Sequence, residues 1–171
     1  MAYKVFYMIF SADTVQSGYD SPLGRMVLAA TPTHLAGVWF DGQSHQPDPK
    51  AWSIDDRYPL LVKTKEQLSA YFLNAAHRFD LPLDLSPGTE FQQSIWRALL
   101  GITPGQTSSY GALSAQIGKP AAVRAAGGAI GRNPFSIIIP CHRVIGARGA
   151  LTGYAGGLAR KTALLQHEGT L

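Results

Sequence analysis

The chain's one cysteine, Cys141, stands in the run Pro140-Cys141-His142-Arg143. The thiolate is the reactive form of cysteine, and it forms when a base takes the proton or a cation stabilises the charge. Here an imidazole and a guanidinium follow the thiol directly. A lone cysteine is most often a small, inert core residue. Cys141 departs from that by position, because the apolar run at residues 135–139 stops just before it. Consecutive residues of an extended chain point to opposite faces, so His142 would act on the thiol through a water. A single thiol excludes an internal disulfide framework and any zinc site built on several thiolates.

These residues need elements to carry them. A chain of 171 residues and 18.4 kDa has room for one generous domain or two small ones. With 46% hydrophobic and 15% charged residues, it can bury a core. The apolar start at residues 5–10 is too short for a membrane span and has no basic lead-in. The expected location is the cytoplasm, with no membrane contact, where a free thiol stays reduced. Charge is divided unevenly. Residues 1–85 carry seven Lys/Arg against nine Asp/Glu, and residues 86–171 carry eight against two, six of the eight being arginine. A basic second half suits a polyanion. Charge alone does not separate that from a solvated arginine surface.

The first half reads as a small α/β unit. Residues 13–20 have turn-forming character. Residues 24–30 and 34–40 read as strands of a hairpin around Thr31-Pro32-Thr33, and residues 41–59 as a proline-rich loop. Residues 60–74 place Leu61, Leu68, Tyr71 and Phe72 at near-helical spacing. Residues 81–85 fit a last strand, and Ser86-Pro87-Gly88 a linker. The second half is helical. Thr89 can cap a helix through Phe91, Ile95, Trp96 and Leu99. A second helix at residues 110–117 stops at Gly118. A third follows with Pro120 in its first turn and Gly131 closing it. The last two match the size of a helix-turn-helix. Ala125-Ala126-Gly127-Gly128-Ala129 would let another molecule or another helix approach closely. Residues 135–139 read as a buried strand or extended segment.

Pro140-Cys141-His142-Arg143-Val144 resembles the active-site signature of the O6-alkylguanine-DNA alkyltransferases. The similarity runs from about residue 91 to 169. It includes Asn133-Pro134 ahead of the signature, Gly153-Tyr154-Ala155-Gly156-Gly157-Leu158 after it, and His167-Glu168-Gly169 near the end. The first half matches loosely, through Ser21-Pro22-Leu23-Gly24.

The resemblance implies a mixed α/β (α+β) protein. A ribonuclease H-like domain with a small, largely antiparallel sheet (1–86) would precede a helical, helix-turn-helix and winged-helix-like domain (87–171). It implies repair of double-stranded DNA by irreversible transfer of a methyl or other alkyl group from O6-alkylguanine to Cys141, one group per chain. By that analogy His142 is the base and Glu168 orients it. Asn133 supports the active-site turn. Tyr110 donates to the departing guanine or presses on the adjacent phosphate. Tyr154, Ala155, Gly156 and Val144 line the pocket for the extruded base. Arg124 fills the gap left in the stack, with Lys119 and Arg132 beside it as DNA contacts. Extruding the base costs on the order of a few kcal/mol, offset by such insertion.

The expected cofactor is none, and no metal: the first half lacks the cysteines that hold zinc in some relatives. Ala155 stands where others often have serine. A monomer is expected. Cooperative assembly on DNA, the range of alkyl groups and activity on O4-alkylthymine are left open. Two other readings use the same residues: a thiol hydrolase that turns over, and a lesion-binding protein with an incidental thiol. The Asp55-Asp56 and Asp80/Asp84 pairs read as solvated, His34, His45 and His77 have no ligand-like spacing, and Trp39, Trp52 and Trp96 read as core. Arg148 and Arg160 fit either phosphate contact or solvent.

Overall fold

A computed structural model describes residues 8–171, so the first half of the apolar start at residues 5–10 lies outside the described residues. Strand β1 (Val15–Ser21) pairs antiparallel with β2 (Gly24–Ala30), which pairs antiparallel with β3 (Leu35–Phe40). A two-residue strand β4 (Ser53–Ile54) adds parallel to β1, giving the order β3-β2-β1-β4. The sheet is therefore largely antiparallel. Strand β1 corrects the turn expected over residues 13–20. Its Ser, Gly and Asp content masked a strand whose Gly18 leaves space for the Arg25 side chain of β2, since a Cβ there would lie 2.2 Å from Arg25 Nη2.

Strands β2 and β3 bury both faces, which is why they read as continuous apolar runs. Met26, Leu28, Val38 and Phe40 face the main core. Trp39 faces the other way, stacking on Trp52 at 6.0 Å. Helix α1 (Pro59–Leu73) lies on the core side and inserts Leu61, Leu68 and Tyr71. The loop expected over residues 41–59 holds only a 3-10 turn (Pro49–Ala51) and β4 before the start of α1. The strand expected at residues 81–85 reduces to one bridge, Leu35 with Leu83. Pro82 accepts a hydrogen bond from Leu35 N through its carbonyl but has no N–H to extend the ladder.

Helix α2 (Glu90–Leu99) starts as expected. Thr89 and Gln92 form a reciprocal capping box, and Ile95, Trp96 and Leu99 point inward. A two-residue strand β5 (Ser108–Ser109) leads into α3 (Tyr110–Gln116), capped by the Ser109 side chain. Helix α4 (Val123–Gly131) follows. Gly118, at φ 74°, turns the chain between them. Pro120 sits in this turn rather than in the first turn of α4. Trp96 Nε1 donates to the Ala129 carbonyl at 2.9 Å, tying α2 to α4.

Residues 135–139 form no strand. Phe135 makes a single parallel bridge to Val38, and the chain then folds on itself, with Ile139 N donating to the Phe135 carbonyl at 2.9 Å. Ile137, in the middle, sits at φ 72°, a conformation a β-branched residue rarely adopts. A 3-10 turn (Cys141–Arg143), strand β6 (Val144–Ile145, parallel to β5) and helix α5 (Leu158–His167) complete the chain. One core runs through both halves, from Met26 and Leu68 to Ile95, Ile139 and Leu164. Among the described residues, no helix is long and apolar enough to cross a membrane.

Candidate active site

The first half delivers the cysteine. Val38 N donates to the Pro134 carbonyl and Ser136 N to the Val38 carbonyl, each at 2.8 Å, so β3 fixes the segment that ends in Cys141. The thiol is 5% exposed and forms part of the wall of a cleft of about 230 Å3. Asn133 Nδ2 donates to Cys141 Sγ at 3.1 Å and to the Ile139 carbonyl at 2.8 Å. Burial pushes the thiol above its ordinary range, outweighing the Asn133 donor and the Lys161 charge that both pull it down. The cation and base next to Cys141 therefore do not by themselves make it a thiolate. It rests as a thiol and needs a base.

His142 is completely buried, and its Nε2 lies 2.8 Å from Glu168 Oε1. Burial lowers the imidazole's affinity for a proton, opposed by Glu168. Glu168 is held down to about 2: burial alone would raise it, but hydrogen bonds and charge from Arg143 and His142 prevail. An ionised carboxylate only accepts hydrogen bonds, so His142 carries its proton on Nε2 and leaves Nδ1 as the basic nitrogen. Nδ1 is buried and has no hydrogen-bond partner among the described residues.

Arg143 grips Glu168 with two nitrogens, Nε on Oε2 at 2.8 Å and Nη2 on Oε1 at 2.7 Å. It also donates to the Ile102 carbonyl. Tyr71 donates its hydroxyl to Glu168 Oε1 at 2.8 Å. Lys161 is fully buried behind the site, where its ammonium donates to the carbonyls of Val144, Thr152 and Gly153. Nothing in the sequence singled out these last two. Tyr71 read as one more core position of a helix, and Lys161 as one of the eight basic residues of the second half.

Tyr110, Gly127, Ile130 and Gly131 form the helical side of the cleft, and Gly153, Tyr154 and Ala155 another side. Tyr110 Oη donates to the Thr152 carbonyl at 3.3 Å. Burial holds the Tyr154 phenol well above its usual range. Two expected pocket residues lie behind the wall instead. Val144 is buried in β6, with its carbonyl on Lys161. Gly156 is wedged against Phe40 and Tyr154, where a Cβ would meet their rings at 3.0 and 2.8 Å. Ser44 and His45, from the first half, also line the cleft. Ser44 N donates to the Ala155 carbonyl at 3.1 Å. His45 thus has a place that its spacing did not reveal.

Arg124 is exposed on α4, the helix whose Gly127 and Gly131 face the cleft. Lys119 is exposed over the Phe91 ring at 5.5 Å, and exposed Arg132 caps the end of α4. Arg160 resolves as an internal tie. Its guanidinium stacks on Phe40 at 4.5 Å and donates to the carbonyls of Leu23 and Gly156.

Two family models match. Residues 15–85 match the 6-O-methylguanine DNA methyltransferase ribonuclease-like domain, and residues 90–170 match the DNA-binding domain of the same family. The chain is 48% identical over 149 residues to a methylated-DNA--protein-cysteine methyltransferase of Mycobacterium bovis, covering 87% of this chain and 88% of the relative. It resembles the crystal structure of Mycobacterium tuberculosis O6-methylguanine methyltransferase, with a TM-score of 0.82 at 46% identity over 91% of this chain and 92% of that one. The Mycobacterium tuberculosis OGT in complex with DNA aligns with a TM-score of 0.80 at 45% identity, covering 91% of each chain.

Proposed function

The chain belongs to the 6-O-methylguanine DNA methyltransferase family, and we propose that Cys141 is the residue on which its chemistry ends. The activity is direct-reversal DNA repair, in which an alkyl group passes from DNA to a cysteine of the protein. In our reading the substrate is O6-alkylguanine, flipped out of double-stranded DNA into the cleft beside Tyr110 and Tyr154. We divide the chain at residues 86/87, a reading supported by family matches that end at 85 and resume at 90.

Each residue then has a task. His142 Nδ1 takes the Cys141 proton through one water, and Glu168 holds the imidazole in the tautomer that leaves Nδ1 basic. Sγ attacks the alkyl carbon, the bond from that carbon to O6 breaks, and a thioether forms. The Tyr110 hydroxyl supplies a proton to the departing guanine. The thioether is not reversed by thiol exchange, so each chain acts once. Asn133 donates to the sulfur throughout. On the DNA side, Arg124 fills the vacated place in the stack while the small residues of α4 lie against the minor groove. Lys119 and Arg132 meet phosphates, whose neutralisation releases counterions. We assign a monomer acting in the cytoplasm, the compartment that keeps a lone thiol reduced.

The observation that carries this reading is the cleft of about 230 Å3, with the thiol on its wall and the Asn133, His142 and Glu168 chain behind it. Labelling with O6-benzylguanine tests it. One benzyl group per chain is expected, mapped by peptide mass spectrometry to Cys141 and absent in Cys141→Ser. A label elsewhere, or none, overturns the assignment.

A further inference from the structure

Tyr71 stands on α1, in the first half of the chain, 97 residues before the carboxylate it touches. Its ring is 1% exposed, and its hydroxyl reaches Glu168 Oε1 at 2.8 Å. That same oxygen accepts from His142 Nε2 at 2.8 Å and from Arg143 Nη2 at 2.7 Å. The contact is reciprocal across the two halves: His167, beside Glu168, places Nε2 2.8 Å from the Tyr71 carbonyl and packs its ring edge-on to the phenol at 5.1 Å. The carboxylate that orients the base is thus held partly from outside the half of the chain that carries the thiol.

We propose that Tyr71 is a positioning residue for alkyl transfer, its hydroxyl fixing the Glu168 carboxylate in the orientation that accepts from His142 and leaves Nδ1 free as the base. The inference rests on the function proposed above and assigns part of the relay to the ribonuclease-like half. A donor on Oε1 withdraws negative charge from the oxygen facing His142 and so moderates the imidazole's basicity. Without it, Glu168 pulls harder on the Nε2 proton. His142 then stays protonated to higher pH, where it cannot act as a base.

Of the other titratable or charged groups nearby, Cys141 and Arg143 share the His142 turn, Lys161 and His167 stand on α5, and Tyr154 lines the cleft; Arg143 and Lys161 are the ones whose charge acts on the imidazole. None of them donates to Glu168 Oε1 except Arg143. Among the described residues, Tyr71 is therefore the one neutral donor on that oxygen beyond the His142–Arg143 turn.

The test is the rate of transfer from an O6-methylguanine oligonucleotide between about pH 5 and 9, read as a profile rather than at one pH. Tyr71→Phe is expected to slow transfer about tenfold at neutral pH and to move the acid limb upward by about half a unit, with DNA affinity unchanged. The second variant carries 3-fluorotyrosine at position 71. It is nearly isosteric and a stronger donor, and it is expected to move the limb downward. It decides the matter if Tyr71→Phe fails to fold. An acid limb unmoved in either folded variant overturns the proposal, because a purely structural tyrosine would scale the whole profile without shifting it. Failure of the wild-type protein to transfer any alkyl group would instead overturn the function itself.

Discussion

Asn133 Nδ2 lies within hydrogen-bonding distance of both Cys141 Sγ, at 3.1 Å, and the Ile139 carbonyl, at 2.8 Å. One amide thus holds the thiol and the backbone that delivers it. Its oxygen accepts from Phe135 N at 2.9 Å, which fixes which way round the amide sits. The donor matters because burial otherwise disfavours the thiolate, so any loss at Asn133 falls on an already reluctant thiol.

Asn133→Asp is the informative change, being isosteric but replacing a donor with an acceptor that is negative when ionised. Transfer should slow by about tenfold to a hundredfold, the range for losing a hydrogen bond to a charged group. The thiol should titrate at higher pH than in the wild type, measured by the pH dependence of its reaction with iodoacetamide. An unchanged titration would mean that the amide serves the backbone alone.

Arg124→Ala addresses the exposed face of α4. It should slow repair of duplex substrate strongly while leaving reaction with free O6-benzylguanine within about twofold, since the role we propose for the arginine is on the stack and not on the thiol. Equal losses on both substrates would remove its assigned role.

Glu168 links the relay to stability against acid. Its folded value is about 2 against an ordinary 4.5, so it is depressed by folding. Such a group contributes stability that is fully present above the ordinary value and is lost as pH falls from there toward about 2. The melting temperature of the wild type should drop across that window. Glu168→Gln should lack this part of the drop. It should also be less stable at neutral pH by about 3–5 kcal/mol, because Arg143 is left buried without its counter-charge. Melting curves of both proteins from pH 2 to 7 check this.

Most of the candidate site was legible because it is local or sits in a recognisable run. Cys141, His142 and Asn133 lie within nine residues of one another, and the alternation of helix signals with glycine placed Tyr110 and Arg124 on the right elements. Tyr71 and Lys161 were not legible. A buried tyrosine at helical spacing looks the same whether its hydroxyl meets a carboxylate or nothing, and a lysine gives no sign that three carbonyls will surround it. The upward push on the Cys141 thiol was not legible for a related reason: neighbouring charges are visible in sequence, but burial is a tertiary property, and here it prevails. In the fold, Asp13 to Asp20 read as a turn because its composition is polar, while pairing with β2 makes most of it a strand. Residues 135–139 looked like a strand by their branched side chains. They instead fold tightly around Ile137, with no neighbouring strand to pair with beyond a single bridge.

The most direct measurement of the central claim is the count of methyl groups removed when duplex DNA containing O6-methylguanine is supplied in large excess, followed by the intact mass of the protein. The account predicts a plateau at one methyl group removed per chain, with every chain heavier by one methyl group carried on Cys141. Continued turnover with the protein's mass unchanged would contradict it.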